Sequence, residues 1–328
     1  MLSPSARFVC VAEASLAADE MAGLRRMIVG LKRHEKSEVI VPAKFIDCIV
    51  NYFLPNELRV RVSCELKDDM LVLSPAQDDG DIKFRTSEDI SLTNTSMSSV
   101  LLQHSPECPI RRLDEPCQVS EKVRSQGVYV AVTVILESLD HKILLTQRSD
   151  RMRAFPRVWV PPGGHLECGE TLLECAFREL EEETGLKFEF GESQAQLLCL
   201  WESVFPVLLG FGVPKNHHIV VYYYLRAQET SEELQKKIKL DPEEVQACTW
   251  LCEQNVENLF ERSCDDLGKV VKFHVKPDGS QYCSELDLST MFHPSLWQEK
   301  KIYSGTQLAL YCWLRICQNK SGALLSKI

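Results

Sequence analysis

Short apolar runs separated by polar turns dominate the middle of the chain. Five of these runs are rich in β-branched and aromatic residues, a composition that predicts β-strands. They are Tyr129–Leu136, Lys142–Gln147, Leu197–Phe205, His218–Ala227 and Val245–Leu251. The run at His218–Ala227 is apolar at nearly every position, which favours a strand that is buried on both faces.

Two segments of the same region carry helical periodicity instead. Thr171–Thr184 repeats its apolar residues every three or four positions, and Glu253–Phe260 predicts a shorter helix after the last strand. Helices that alternate with strands in this way indicate an α/β protein. We therefore predict an α/β/α sandwich that is built on a mixed sheet.

The first 120 residues show a weaker and more varied pattern. Leu16–Leu31 has helical periodicity, Ser37–Val41 and Arg59–Ser74 predict short strands, and Phe45–Phe53 is a compact apolar segment. Gln77–Ser125 is rich in Ser, Asp, Thr and Pro, which is typical of a linker or a loosely ordered surface segment.

These patterns predict three parts of the chain. An N-terminal α+β region covers residues 1–120 and ends in the polar linker, and the sandwich domain covers residues 121–262. A C-terminal extension covers residues 263–328 and contains a helix at Thr306–Gln318.

Composition and charge narrow the class of protein. The chain has 328 residues, 45% of them hydrophobic, and a net charge of -10 without a clustered basic run. Non-specific nucleic-acid binding is excluded as the main activity, because it needs clustered Lys and Arg. No apolar run reaches the roughly 18 residues that span a bilayer, so we expect a soluble protein without a membrane partner.

The termini and the cysteines bear on the cellular location. The N-terminus lacks a secretory pattern, and the 14 cysteines contain no CxxC pair, so we expect a cytoplasmic protein with reduced, mostly buried thiols. The chain ends in Ser326, Lys327 and Ile328, which is close to the peroxisomal S-K-L signal without matching it.

The helix at Thr171–Thr184 has clear sequence signals at both ends. Thr171 and Glu174 have the spacing of a capping box, and Gly185 follows the last turn as a C-terminal cap. Its apolar stripe, which should pack on the sheet, consists of Leu173, Phe177 and Leu180.

Three carboxylates lie on a neighbouring face of the same helix. Glu179, Glu182 and Glu183 are spaced i, i+3, i+4, and the nearby cation is Arg178. Their mutual repulsion is relieved if a hard divalent cation such as Mg²⁺ binds among them. The alternative is a solvated acidic helix face.

The segment GHLECGETLLECAFRELEEETGL resembles the signature of the Nudix hydrolase family, G-x5-E-x7-R-E-U-x-E-E-x-G-U, where U is a bulky aliphatic residue. Every specified position is filled, by Gly164, Glu170, Arg178, Glu179, Leu180, Glu182, Glu183, Gly185 and Leu186. The resemblance covers about residues 125–260. It implies the Nudix fold and hydrolysis of a pyrophosphate bond in a nucleoside-diphosphate-linked compound.

The resemblance also implies roles for individual residues. Glu179, Glu182 and Glu183 would bind Mg²⁺ or Mn²⁺ together with the carbonyl of Gly164, and all three carboxylates would be catalytic. Arg178 would orient Glu179, and Glu170 would support the junction of loop and helix.

A general base in this family often comes from a loop before a late strand. That position holds Glu243 and Glu244, and Glu202 is a further candidate. Each of the three could instead be a plain surface carboxylate.

Three substrate classes compete, because the signature defines the scissile bond and not the compound. Capped RNA is the specific prediction, with cleavage of the methylguanosine cap to release m7GDP from the RNA 5′ end. Aromatic residues could stack on the cap base or belong to the core. They are Trp159, Trp201, Phe205, Tyr222, Tyr223 and Tyr224.

The alternatives are small nucleoside-diphosphate-linked molecules or no reaction at all. LLTQRSDRMRAFPRVWVPPGG resembles a coenzyme A hydrolase pattern, although Arg157 replaces a glycine of that pattern. Arg148 and Arg153 would then serve coenzyme A and not capped RNA. The sequence WESVFP matches the pattern of NADH hydrolases poorly. A Nudix-fold binding module without activity is also an alternative, but the intact carboxylates favour catalysis.

Overall fold

The regular structure of the chain consists mainly of β-strands. A computed structural model describes residues 26–76, 96–113, 118–152, 154–189, 194–260, 267–276, 278–291 and 302–321. The strands are β1 Ile28–Leu31, β2 Val41–Pro42, β3 Arg59–Lys67, β4 Met70–Pro75, β5 Ser96–His104, β6 Tyr129–Glu137, β7 Lys142–Arg148, β8 Trp159–Val160, β9 Gly163–His165, β10 Gln194–Phe205, β11 Asn216–Arg226, β12 Val245–Cys252, β13 Lys269–Val275 and β14 Gln281–Asp287.

Six α-helices connect or cover these strands within the described ranges. They are α1 Ile49–Phe53, α2 Glu121–Arg124, α3 Leu172–Thr184, α4 Ser231–Lys237, α5 Glu253–Phe260 and α6 Ser304–Ser321. None of the helices in these ranges is long and apolar enough to cross a membrane.

All described strands belong to one sheet. Its order is β14-β13-β12-β7-β6-β11-β10-β5-β3-β4-β1-β2, with β8 on β7 and β9 on β6. The chain also pairs β1 with β6, through Ile28 and Tyr129. Seven strands therefore close into a ring, in the order β6, β11, β10, β5, β3, β4 and β1.

Two apolar clusters fill the space on the two faces of the sheet. Alternate residues of β11 point to opposite faces, so that Ile219 and Val221 join one cluster and Tyr222 and Tyr224 join the other. The first cluster lies inside the ring and against α3, and the second lies under α5 and α6. This confirms the predicted α/β/α sandwich on a mixed sheet and the burial of this strand on both faces.

The predicted signals of α3 are all present. Thr171 and Glu174 form the capping box, with the Thr171 backbone N–H donating to Glu174 at 2.7 Å. Gly185 ends the helix with a φ of 71°, a left-handed conformation that an L side chain rarely adopts. Leu173 and Leu180 are buried against the sheet, which places the carboxylate face of α3 beside β6, β7 and β9.

The C-terminal helix is part of the sandwich. The predicted helix at Thr306–Gln318 is confirmed, since α6 spans Ser304–Ser321. It packs on β10, β11 and β6 and contacts α5, which was predicted with the observed bounds, Glu253–Phe260.

Two predictions for the N-terminal region are wrong. Ile28–Leu31 is a strand and not the end of a helix, because Val29 and Leu31 are buried and their backbone pairs with β4. The segment Gln77–Ser125 is not simply a linker, because β5 lies inside the sheet between β3 and β10. Residues 1–25, 77–95 and 114–117, on which other parts of these predictions fall, lie outside the described ranges.

Other elements differ from their predicted bounds in smaller ways. The strand predicted at Ser37–Val41 is reduced to Val41–Pro42. The hairpin of β13 and β14 was not predicted, and it extends the sheet beyond β12. The division of the chain at residue 120 stays a prediction about folding units, but the hydrogen bonds of the sheet cross it.

Buried residues on the N-terminal strands should therefore stabilise the whole sheet. Leu102 on β5 is fully buried opposite Leu200 on β10, so Leu102→Ala should lower the free energy of unfolding by about 2–5 kcal/mol. Denaturant unfolding should be followed by tryptophan fluorescence, because all 5 tryptophans lie after residue 120.

The matched control is Val271→Ala, on β13, where the side chain is 52% exposed. It should change the free energy of unfolding by less than about 0.5 kcal/mol. If Leu102→Ala left the tryptophan transition unmoved, the N-terminal strands would be an independent folding unit.

Candidate metal site and active site

The three carboxylates of α3 have different environments. Glu179 and Glu183 are buried, with 8% and 3% of their surface exposed, whereas the side chain of Glu182 is 58% exposed at the edge of the site. The helical spacing predicted one shared face. The structure shows that this face lies at the junction of α3 with the sheet, so two carboxylates are largely withdrawn from water.

Glu183 is held by polar groups of β7 and β9. The Thr146 hydroxyl and the Gly163 backbone N–H each donate to its carboxylate at 3.3 Å. These two bonds orient the side chain but leave it without a salt bridge to a Lys or Arg among the described residues.

Glu179 packs directly on the backbone of Gly164. A Cβ atom at residue 164 would overlap the Glu179 carboxylate, so glycine is required for this close approach. Gly164 is held on β9 by its pairing with Val132 of β6. The predicted site therefore has its backbone component next to one of its carboxylates.

Arg178 connects the remaining acidic residues. Its Nε and Nη2 atoms donate to the two oxygens of Glu170 at 3.0 and 2.8 Å, in a two-point ion pair. Its Nη1 atom donates to Glu179 at 2.8 Å and to Glu182 at 3.0 Å. Arg178 thus contacts Glu179 and is held by Glu170, which precedes the helix.

The buried carboxylates have too few cationic side chains nearby to offset their negative charge. Burial raises the pKa of Glu179 to about 7, although the adjacent Arg178 opposes this effect. Burial raises the pKa of Glu183 to about 8, against the opposing charge of Arg148. Two oxygen-donor side chains that are buried, clustered and short of cations fit a hard divalent metal ion.

Arg148 has an unused hydrogen-bond donor beside this cluster. It ends β7, and its charge acts on both Glu183 and Glu244. Its Nε atom is buried and has no hydrogen-bond partner in the described part of the chain. A buried guanidinium donor of this kind is suited to a phosphate oxygen.

The structure distinguishes the two general-base candidates on the loop before β12. Glu243 is exposed and forms a salt bridge with Arg151 at 2.7 Å. Glu244 interacts electrostatically with Glu179, Glu182 and Glu183. Only Glu244 of this pair therefore belongs to the carboxylate cluster, and burial raises its pKa above the ordinary value.

Glu202 has a different environment from the one considered in the sequence analysis. It is buried on β10 and accepts hydrogen bonds from the backbone N–H groups of Ile49 and Val50 at 2.7 and 3.1 Å. Its Oε1 atom also lies 3.1 Å from the Nε2 atom of His217. These bonds tie Glu202 to the start of α1, so it is not available as a base in the α3 cluster.

Most of the aromatic residues considered for base stacking are in the core. Trp159, Trp201, Tyr222 and Tyr224 are each at most 7% exposed. Tyr223 packs against the cluster inside the ring. Of the six residues considered, Trp201 lines an open cleft, and Phe205 contacts an aromatic ring beside that cleft.

Phe205 belongs to an aromatic group beside an open cleft. Phe155 contacts Phe205 and Tyr303, with ring centroids 4.8 and 4.9 Å apart. The cleft is open to solvent and is lined in part by Phe155, Trp201 and Tyr303. Phe155 and Tyr303 were missed in the sequence analysis because they are far apart in sequence and carry no shared pattern.

The chain is similar to known proteins over different parts of its length. The model of the NUDIX domain matches residues 128–270. The protein named m7GpppN-mRNA hydrolase NUDT17 from Danio rerio is 34% identical, over 91% of this chain and 98% of its own length. The protein of the same name from Homo sapiens is 37% identical, over 65% and 70% of the two chains.

Similarity to proteins with other named activities covers smaller parts of the chain. The bis(5'-nucleosyl)-tetraphosphatase of Rattus norvegicus is 29% identical, over 39% of this chain and 78% of its own length. The ADP-ribose pyrophosphatase of Methanocaldococcus jannaschii is 49% identical, but over only 17% of this chain and 32% of its own length. The overall length and the N-terminal region of the chain resemble those of the vertebrate protein called nucleoside diphosphate-linked moiety X motif 17, and the longer matches confirm this resemblance.

Removing one carboxylate charge should abolish most of the activity. Glu183→Gln and Glu182→Gln keep the shape of the side chain, so turnover of a nucleoside-diphosphate-linked substrate should fall at least about a hundredfold while folding is kept. The control is Glu181→Gln on the same helix, where Glu181 is exposed and pairs with Lys187. Near-full activity of Glu183→Gln would contradict the assigned site.

Metal binding should also stabilise the fold. Mg²⁺ or Mn²⁺ at about a hundred times its Kd should raise the Tm by roughly 5 °C, because a bound ligand stabilises the folded state. The double change Glu179→Gln and Glu183→Gln should raise the Tm in the absence of metal and remove the metal response. Thermal unfolding with EDTA, Mg²⁺ and Mn²⁺ measures both effects. An identical wild-type Tm in all three conditions would count against a metal site.

Proposed function

Because the chain belongs to the Nudix hydrolase family, we propose that it hydrolyses the methylguanosine cap of mRNA and releases m7GDP. The single observation that carries this proposal is the similarity to the m7GpppN-mRNA hydrolase of Danio rerio over 91% of the chain. This similarity extends well beyond residues 128–270, which the family model matches. It therefore includes N-terminal strands that complete the sheet, whereas the ADP-ribose pyrophosphatase shares only a short segment.

The proposed catalytic metal ions are Mg²⁺ or Mn²⁺. Glu179, Glu182, Glu183 and the Gly164 carbonyl would bind them, since these groups offer only oxygen ligands at the edge of the sheet. When bound, divalent ions neutralise charge on the phosphates and lower the pKa of a coordinated water.

The side chains around the cluster support the hydrolytic step. We assign Glu244 as the base that takes a proton from the attacking water, because it is the loop carboxylate that interacts with α3. The oxygen of that water bonds to phosphorus as the bridging phosphorus–oxygen bond breaks. The Arg148 Nε atom would donate to a phosphate oxygen, and Arg178 would keep Glu179 in place through its bonds to Glu170.

The aromatic cleft is the proposed site for the cap base. The loop between β7 and β8 starts after Arg148, beside the carboxylates, and carries Phe155 into the cleft. A base that stacks on Phe155, Phe205 or Tyr303 would thus be joined to phosphates that extend toward Arg148. A methylated guanine is cationic, so aromatic faces attract it more strongly than a neutral base.

The structure changes the expectation for the coenzyme A alternative. Arg148 acts on Glu183 and Glu244, so Arg148→Ala should impair hydrolysis of every substrate and not of coenzyme A alone. Arg153 lies outside the described residues. A direct comparison of substrates therefore separates capped RNA from coenzyme A better than changes at these arginines.

The proposed location follows from the proposed substrate. Capped mRNA is abundant in the cytoplasm, which agrees with the expected cytoplasmic location. The peroxisome-like residues Ser326, Lys327 and Ile328 lie outside the described ranges.

The test is hydrolysis of a panel of substrates by the purified full-length chain. The panel contains capped RNA, coenzyme A, NADH, ADP-ribose and diadenosine polyphosphates, each with Mg²⁺ and with Mn²⁺. We expect capped RNA to give m7GDP and RNA with a 5′-monophosphate, and Glu183→Gln to lose this activity. Faster cleavage of coenzyme A than of any capped RNA would refute the proposed substrate.

Truncating the aromatic cleft should weaken binding of capped RNA. Stacking of one base is worth about 1–3 kcal/mol, so Phe155→Ala should raise KM roughly five- to 150-fold with a smaller effect on kcat. Phe211→Ala is the control, since Phe211 is 45% exposed and does not line the cleft. Equal KM values for wild type and Phe155→Ala would place the cap base elsewhere.

A further inference from the structure

A second cluster of metal-binding residues lies away from the carboxylates of α3. The Cys48 Sγ, Cys108 Sγ and a ring nitrogen of His104 all lie within 4.8 Å of one another. Cys48 precedes α1, His104 ends β5, and Cys108 follows in the next turn. Because the three residues come from separate elements, their spacing in the sequence gives no metal-binding pattern.

Glu202 lies close to two of these three residues. It lies beside His104 on the adjacent parallel strand, β10. Its Oε2 atom is 3.6 Å from the Cys48 Sγ and 3.8 Å from the His104 Nδ1. The Cys48 Sγ is 3.3 Å from the same Nδ1 atom.

The separations among Cys48, His104 and Glu202 match three of the six edges of a tetrahedron around Zn²⁺, and the Cys108 Sγ lies within 4.8 Å of the Cys48 and His104 atoms. With Zn–S near 2.3 Å and Zn–N or Zn–O near 2.1 Å, a thiolate should lie about 3.6 Å from a nitrogen or oxygen ligand, and the latter two about 3.4 Å apart. Each observed distance is within about 0.4 Å of that geometry. Little movement of Cys48, His104 or Glu202 is needed to accept the ion.

His104 is already oriented as a ligand. Its Nε2 atom lies 3.1 Å from the Glu57 carbonyl, to which it donates its proton. The lone pair of Nδ1 then faces the Cys48 Sγ. Metal-binding histidines typically donate their second N–H to such a carbonyl or carboxylate, which fixes the tautomer.

His217 holds Glu202 from the other side. The Phe45 carbonyl lies 2.7 Å from the His217 Nδ1 atom, and the Glu202 Oε1 atom lies 3.1 Å from its Nε2 atom. The Glu202 Oε2 atom, which lies near Cys48 and His104, would be the ligand atom.

We propose that Cys48, His104, Cys108 and Glu202 bind one structural Zn²⁺ ion. Thiolate and imidazole ligands favour zinc, whereas the oxygen-only cluster on α3 favours Mg²⁺ or Mn²⁺. Four protein ligands would fill the coordination positions of the ion, and binding releases the two thiol protons to solvent. Cys108 and Glu202 also line the aromatic cleft, so the ion would lie beside it. The ion would join α1 and the turn after β5 to β10, across the seam between N-terminal strands and the family domain.

The first test is the metal content of the full-length protein after purification without added zinc. We expect about one zinc per chain, and its loss in Cys108→Ser and in Cys48→Ser. Cys64→Ala is the matched control, since Cys64 is a buried thiol of β3 outside the cluster. Glu183→Gln should also keep its zinc, which separates this site from the catalytic one.

The second test does not require the variants to fold. Wild-type protein that is stripped of zinc and reconstituted with Co²⁺ should show thiolate-to-cobalt charge-transfer absorption together with the intense visible bands of tetrahedral cobalt. The carboxylate cluster cannot produce the first signal, because it has no sulfur ligand. Absence of zinc together with absence of this absorption would overturn the proposal. A Cys48–Cys108 disulfide, detected as a mass two hydrogens lower, would overturn it as well.

Discussion

The burial of two carboxylates at the contact between α3 and the sheet is the constraint on which the site depends. Glu179 can approach the backbone of β9 because residue 164 is a glycine, and Glu183 accepts a hydrogen bond from the Gly163 N–H. The contact removes both side chains from most of the surrounding water. A charge in such a position is unfavourable unless cations compensate it. Arg178 compensates part of it and is itself fixed by Glu170. The negative charge that Arg178 does not offset favours the binding of divalent metal ions. A cluster of exposed carboxylates would bind such ions less tightly.

Short-range signals in the sequence were sufficient for the catalytic half of the molecule. The capping box of Thr171, the cap at Gly185 and the spacing of the glutamates act within a few residues, and each has its expected place. Contacts over long sequence distances could not be predicted in the same way. Strand β5 lies in a segment, Gln77–Ser125, that is rich in Ser, Asp, Thr and Pro. Its position depends on β3 and on β10, which follows about 90 residues later. The unused donor of Arg148 and the choice of Glu244 over Glu243 likewise depend on packing.

The N-terminal strands give this molecule a sheet that is larger than its family domain requires. They curve from β10 back to β6 and enclose the apolar cluster against which α3 packs. The family model begins at residue 128, next to Tyr129, which pairs with Ile28 to close the ring. The N-terminal region and the helix α3 that carries the carboxylates therefore share one core, and a change in packing at either place affects the other.

Closure of the ring has a consequence for the order in which the chain can fold during synthesis. The strands β3, β4 and β5 leave the ribosome early, but β5 acquires its second neighbour only when β10 has been made. At about 5–20 residues per second, translation from residue 104 to residue 205 takes on the order of ten seconds. During this interval the apolar faces of Val62, Leu71 and Leu102 have no partner from the later strands. The nascent protein is therefore exposed to aggregation at its N-terminal end, and chaperones that bind extended apolar segments would have their longest opportunity there.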